Sequence, residues 1–292
     1  MIAVIILYAL FALTFSAGKK ALLYGSPLAL ALGRTMITAA VLLPLYFIRQ
    51  PAARQLRARQ FLVLLLYSLI SLTSFIGANW ALLHVTSIKV ALFYAMTPLV
   101  TALISYLLHN ETLNHYKIAG ILIGMIGIVT ITVSSADQTN FVLQLPGLPE
   151  LALAIAVTAY ATGWFIVRPL VTKNGYEPIY INGLASLISA TICLALMFLT
   201  DDVFPTTAAF WLWTSLQAIF SSVICYSLYM YLLNYYSTNF LAFACFLEPI
   251  FAAFYGWILL GETPLAMFWV ATLFVTTGLY LFYKGELSVQ TK

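Results

Sequence analysis

Runs of about twenty apolar residues recur ten times along this chain, at approximately Ile2 to Leu22, Leu28 to Ile48, Phe61 to Leu83, Ile88 to Leu108, Lys117 to Val133, Leu151 to Val167, Pro178 to Leu199, Phe210 to Leu233, Thr238 to Leu260 and Ala266 to Tyr283. A helix of about 20 residues crosses a hydrocarbon layer about 30 Å thick, so these runs have spanning length. Lipid offers no partner to an open sheet edge, and runs this evenly apolar do not alternate as barrel strands do. The expected fold is an all-α integral membrane protein of ten transmembrane helices. Breakers sit in the linkers: Tyr24-Gly25-Ser26-Pro27, the Arg-rich Arg49 to Arg59, Leu145-Pro146-Gly147-Leu148-Pro149 and Asp201-Asp202-Val203-Phe204-Pro205. Too little chain remains between runs for a soluble domain.

With 63% hydrophobic and 8% charged residues, the chain lacks the charge that covers a water-facing surface, about 25% in soluble domains. Its expected surroundings are membrane lipid. A net charge of +4 with no basic helical face excludes nucleic acid as an expected partner. Cys193, Cys225 and Cys245 stand alone in apolar stretches and read as small buried side chains rather than a disulfide framework. The start Met1-Ile2-Ala3-Val4 has neither the basic flank nor the cleavage site of a signal peptide, so a retained first helix is expected. No H-E-x-x-H, G-x-S-x-G or lipidation pattern occurs, and His84, His109 and His115 have no metal-ligand spacing. Without a G-x-x-x-x-G-K-[ST] phosphate loop, ATP cannot drive the chain by itself. No catalytic residue, cofactor or metal is expected.

Charge sets an orientation. Ten spans place Arg49, Arg54, Arg57, Arg59, Lys117, Arg168, Lys173, Lys284 and Lys292 on the face that holds both termini, against Lys19, Lys20 and Lys89 on the other. The positive-inside bias then puts both termini in the cytoplasm of a bacterial-type inner membrane. Lys19-Lys20, at the far end of the first span, runs against that count.

Sliding the chain on itself by 151 residues matches Pro27 to Pro178, Ser71 to Ser222, Leu82 to Leu233, Ala91 to Ala242, Pro98 to Pro249, Glu111 to Glu262, Thr112 to Thr263 and Gly127 to Gly278, with Trp80 opposite Tyr231. Two units follow, residues 1–135 and 151–285, each of five spans. An odd number of spans inserts the second unit upside down, an inverted five-plus-five repeat. Secondary transporters use such repeats to build two related gates around one midplane site, although duplication kept only for packing gives the same pattern.

Glu248 lies near the middle of the ninth span, where a charged side chain costs about 2.5–3.5 kcal/mol on insertion scales. It reads either as a cation or proton site lining a cavity, or as a protonated carboxyl hydrogen-bonded into the bundle. Pro249 behind it, and Pro98 behind the repeat-related Thr97, should kink both helices at one depth. Arg34, about seven residues into the second span, is either a carboxylate-binding or counter-ion group or a snorkelling anchor, and Lys19 and Lys20 pose the same choice. Tyr8, Asn79 and Trp80, Tyr94, Tyr160, Trp164, and Tyr226, Tyr229 and Tyr231 form aromatic and polar clusters within spans. Such rings suit a planar organic ligand, or else packing and an interfacial belt. Gly120-x-x-x-Gly124-x-x-Gly127 permits close helix approach, within the chain or in a weak homodimer. The sequon Asn110-Glu111-Thr112 falls on the cytoplasmic face and is discounted.

The stretches Tyr94-Ala95-Met96-Thr97-Pro98-Leu99 through Glu111-Thr112-Leu113 and Leu247-Glu248-Pro249-Ile250-Phe251 through Gly261-Glu262, with Ser26-Pro27 ahead of Arg34, resemble hallmark segments of EamA-type proteins in the drug/metabolite transporter superfamily. The resemblance covers essentially the whole chain. It implies a basket in which helices 1, 3, 4, 6, 8 and 9 surround a cavity, with 5 and 10 at the periphery, and makes Trp80, Tyr94, Thr97, Trp164, Tyr229 and Glu248 lining residues. Asn110, where the family usually has Gly, and Lys89, where it usually carries something smaller, depart from the pattern. The implied function is a secondary active or facilitative transporter of a small organic metabolite, working as a monomer or weak homodimer. The family's cargo includes amino acids, drugs and nucleoside-type metabolites such as S-adenosylmethionine. Asn79, Arg34 and Lys20 join the candidate substrate-binding residues, and Pro98 and Pro249 are the candidate hinges. The rival readings are a non-transporting membrane scaffold and a membrane-embedded enzyme acting on lipid.

Overall fold

The computed structural model of the chain describes residues 2–50, 56–109, 114–133, 147–236, 238–262 and 266–290. Among them there are helices and no strand: α1 Ile2–Ala21, α2 Pro27–Arg49, α3 Ala58–Leu82, α4 Ser87–Tyr94, α5 Thr97–His109, α6 His115–Val133, α7 Leu148–Thr172, α8 Pro178–Thr200, α9 Ala208–Gln217, a π-helical segment Ala218–Tyr226, α10 Ser227–Leu232, α11 Thr238–Phe243, a 3-10 turn Ala244–Leu247, α12 Glu248–Leu260 and α13 Ala266–Gln290. Among the described residues, seven helical stretches are long and apolar enough to cross a membrane, with α4–α5 and α9–α10 each counting as one, and three shorter apolar helices accompany them. The chain is an integral membrane helical protein. Its outer surface fits lipid, with Phe198 and Leu199 more than three-quarters exposed. Asn110, Glu111, Thr112 and Asp137 lie outside the described residues.

Local chemistry sets the helix ends. Ser26 caps α2 by accepting from the Ala29 amide at 3.0 Å, and Pro27 and Pro178 take first-turn positions where a missing N–H is harmless. Gly261, at φ +68°, closes α12, with the Glu262 amide bonded back to the Gly256 carbonyl at 3.0 Å.

Both expected proline kinks are helix interruptions. α4 ends in a turn at Ala95–Met96 and α5 restarts at Thr97-Pro98, while α11 tightens to a 3-10 turn before α12 restarts at Glu248-Pro249. Pro98 cannot donate to the Tyr94 carbonyl four residues back, and the Thr97 hydroxyl fills that bond at 2.5 Å. Glu248 stands at the equivalent place, its Oε2 without a hydrogen-bond partner among the described residues.

α6 packs on α13, α2 on α8, α3 on α7, and α1 on α12 and α9. At the α6–α13 crossing, a Cβ added to Gly120 would lie 2.5 Å from the Gly278 carbonyl oxygen, so glycine at both positions brings backbone against backbone. The glycine motif therefore serves packing within the chain.

Polar contacts gather at the two ends of the bundle. At one, Lys19 Nζ meets Glu262 Oε1 at 2.8 Å and the Val85 carbonyl at 2.9 Å, while Glu262 also accepts from the Ser87 amide and hydroxyl. Lys89 Nζ meets Glu150 Oε1 at 2.5 Å there, and Ser26 donates to Asp202. At the other end Gln50 donates to Glu177 at 2.5 Å and Tyr176 to Gln60 at 2.6 Å.

Candidate functional site

A cavity of about 50 Å³ lies inside the bundle, walled by α1, α2, α3, α4, α7, α9 with its π-helical continuation, and α12. That volume holds a few waters and is smaller than an organic metabolite. Two smaller pockets adjoin it, one sharing Arg34, Phe75 and Tyr226 with it and the other Tyr160 and Tyr226.

Glu248 borders the cavity in the first turn of α12, where the helix dipole favours an anion. It is 2% exposed, and its Oε2 has no hydrogen-bond partner among the described residues. Neither of the two ion pairs those residues form involves it. A desolvated carboxylate held this way is an open demand for a donor or a cation.

Arg34 enters the same cavity from α2. Its guanidinium lies 3.9 Å from the ring centroid of Phe75 and 5.1 Å from that of Tyr226, and its Nε donates to Ser222 Oγ. Phe75 and Tyr226 are separated by the same 151 residues as Pro98 and Pro249, so one ring from each unit clamps the cation. Ser222 and Tyr226 belong to the π-helical segment. The wider turn shifts the phase of its side chains, and such segments concentrate at functional sites. The Asn182 amide steadies this segment through the Ser222 carbonyl at 2.6 Å.

Two amides complete the polar lining. Asn79 Nδ2 donates to the Phe75 carbonyl at 2.8 Å and Gln217 Nε2 to the Thr14 carbonyl at 3.2 Å, leaving Asn79 Oδ1 and Gln217 Oε1 buried without partners among the described residues. Gly18 makes room for both, since a Cβ there would lie 2.5 Å from Gln217 Nε2 and 3.0 Å from Asn79 Oδ1. An aromatic wall runs from Tyr94, which bonds Ser74 at 3.1 Å, edge-on to Tyr160 at 5.2 Å, then to Trp164 at 5.7 Å and its stacked partner Tyr229 at 3.8 Å.

Of the residues singled out from sequence, Glu248, Tyr94, Asn79, Arg34, Tyr160 and Tyr226 border the cavity. Trp164 borders one of the small pockets, and Tyr229 stacks behind it. Thr97 is fully buried on the Tyr94 carbonyl, and Trp80 is half-buried against His84 at 4.8 Å; neither borders the cavity, nor does Lys20. Pro98 and Pro249 stand at the helix interruptions. Lys19 and Lys89 are explained by acids far away in sequence, Glu262 just past the end of α12 and Glu150 in the first turn of α7. Sequence reasoning passed over Phe75, Gln217 and Ser74. Gln217 was detectable as an amide inside an apolar span.

The EamA-like transporter family model matches this chain twice, over residues 1–133 and 148–284. A protein of Chlamydia muridarum named S-adenosylmethionine/S-adenosylhomocysteine transporter is 29% identical over 286 residues, covering 94% of this chain and 88% of its own. A Chlamydia trachomatis serovar L2 protein of the same name is 29% identical over 287 residues, covering 94% and 85%. A WAT1-related chloroplastic protein of Arabidopsis thaliana is 28% identical over 195 residues, 63% of this chain and 45% of its own. A protein of known crystal structure superposes with a TM-score of 0.70 at 17% identity, over 96% of this chain and 93% of its own, a likeness of fold.

Proposed function

We propose that this chain, which belongs to the EamA-like transporter family, carries an S-adenosylmethionine-type metabolite through the cavity around Glu248. It is a transporter and not an enzyme. The observation that carries the cargo reading is the pairing, in one buried cavity, of an unpartnered carboxylate with an aromatic wall. A cationic centre satisfies Glu248, and a flat heterocycle matches Tyr94 and Tyr160. The two chlamydial relatives, similar over nearly the whole chain, support the same cargo.

Ten spans in two inverted units, residues 1–135 and 151–285, work this site by alternating access, with the helix interruptions at Pro98 and Pro249 as hinges. The double family match and the matched prolines support that architecture. So does the gathering of Lys19, Lys89, Glu150, Asp202 and Glu262 at one end of the bundle, as alternately directed helices require. Both termini face the cytoplasm of the inner membrane, and Lys19, the dissenting charge, is neutralised by Glu262. The protein works as a monomer in lipid, its glycine motif already used within the chain.

The test is counterflow in sealed vesicles. Purified protein in vesicles preloaded with unlabelled S-adenosylmethionine should accumulate the labelled compound saturably, with S-adenosylhomocysteine competing. Labelled uptake no greater than in protein-free vesicles would overturn the reading.

A further inference from the structure

An acidic and a basic side chain border the cavity without pairing with each other. Glu248 and Arg34 both border it, yet the only ion pairs among the described residues are Lys19–Glu262 and Lys89–Glu150. Arg34 is 6% exposed, and its one side-chain hydrogen bond among those residues runs from Nε to Ser222. The two terminal nitrogens of the guanidinium, the fork that grips a carboxylate side by side, have no protein partner there. Snorkelling does not account for this side chain. A snorkelling arginine reaches for headgroups, whereas this one is clamped between Phe75 and Tyr226 inside the bundle. Asn79 Oδ1 and Gln217 Oε1, acceptors without partners, border the same space.

We infer that Arg34 is the carboxylate-binding residue of a zwitterion subsite: its terminal nitrogens take the α-carboxylate of an amino-acid group, while Glu248 and the free amide oxygens take that group's cationic side. The Phe75–Tyr226 clamp fixes the plane of the fork, and Ser222 sets its rotation. The subsite deepens the transporter reading and rests on the same cavity. It names the part of the cargo that is selected: a compound with the amino-acid end is accepted, and its counterpart lacking only the carboxylate is rejected, because a buried guanidinium would stay unpaired.

The test compares probes that differ by that carboxylate. In counterflow, S-adenosylmethionine should compete about 10–100-fold better than its decarboxylated form, the range expected for a lost charge-assisted hydrogen bond. Arg34→Gln should shrink that ratio to about threefold or less by weakening S-adenosylmethionine while leaving the decarboxylated form nearly unchanged. Arg34→Lys, which keeps the charge and loses the fork, should fall between the two. Equal competition by both probes in the unaltered protein overturns the inference, and that arm needs no variant to fold. So does a uniform loss of both probes in a well-folded Arg34→Gln. A second pair, methionine and 3-methylthiopropylamine, is read by thermal stabilisation of the purified protein. Stabilisation by methionine alone upholds the subsite even if no adenosyl compound is carried, an outcome that would sink only the cargo reading. Stabilisation by neither, with no adenosyl competition, overturns both.

Discussion

Replacing Glu248 by glutamine separates a binding role from a structural one, because the two roles predict opposite results. The side chain is 2% exposed and its Oε2 has no hydrogen-bond partner among the described residues, so the empty protein should lose little when the carboxyl becomes an amide. The neutral amide lowers the cost of holding this side chain in the bundle, so stability should be unchanged or slightly higher. The loaded protein loses a desolvated, charge-assisted contact of about 1.5–3 kcal/mol. At about 1.4 kcal/mol per factor of ten, affinity for a cationic cargo should fall by about 10- to 150-fold. Counterflow in vesicles gives the KM, and thermal unfolding in detergent gives the stability of the empty protein. Running S-adenosylmethionine beside S-adenosylhomocysteine locates the contact: a larger loss for the former assigns Glu248 to the sulfonium, and an equal loss assigns it to the ammonium. An unaltered KM for both would refute the reasoning, as would a fall of several degrees in Tm of the unliganded variant, which belongs to a carboxyl that holds the bundle together.

Three further outcomes follow from local geometry. Glu262→Gln removes the anion that joins Lys19 to Ser87, a contact worth about 1 kcal/mol given the partial exposure of Lys19, and should speed labelling of a cysteine at Ser74 by a membrane-impermeant thiol reagent from that side about fivefold; an unchanged rate would mean the pair does not hold that end closed. Thr97→Val strips the donor from the Tyr94 carbonyl that Pro98 leaves unpaired, and should lower stability by about 1–2 kcal/mol in thermal unfolding with KM unchanged, whereas Thr97→Ser should behave as the parent. Gly278→Ala forces a methyl against the Gly120 carbonyl, and the expected loss is about 1–3 kcal/mol, read as a lower midpoint of unfolding in detergent.

The all-helical membrane fold, seven of the expected spans and the two proline interruptions were legible in the sequence because lipid imposes a length on a spanning helix and proline a position on a break. Glu248 was legible because a carboxylate deep in an apolar run has few cheap explanations. Which face of each helix looks inward was far less so. In a bilayer both faces are apolar, so side-chain polarity hardly distinguishes cavity from lipid, and Trp80 and Lys20 were grouped with a cavity they do not border. Thr97 was expected to line the cavity from the family resemblance. The backbone carbonyl freed by Pro98 claims it instead, a contact only coordinates reveal. The π-helical segment left no mark either, since Ala218–Tyr226 contains neither Gly nor Pro, and with it the clamp on Arg34 stayed hidden. Lys19, which opposed the charge count, found its answer in an acid 243 residues away.

The seam where Gly120 meets Gly278 limits how this molecule can deform. Main chain touches main chain there, with no side chain between to tilt or compress, so the two helices cannot draw closer. Any enlargement of the chamber must be taken up on the opposite flank, and the body will open like a book along its spine instead of drifting apart as two plates. Spectroscopic labels straddling that seam should keep a fixed separation throughout the cycle, a built-in ruler against which every moving distance can be read.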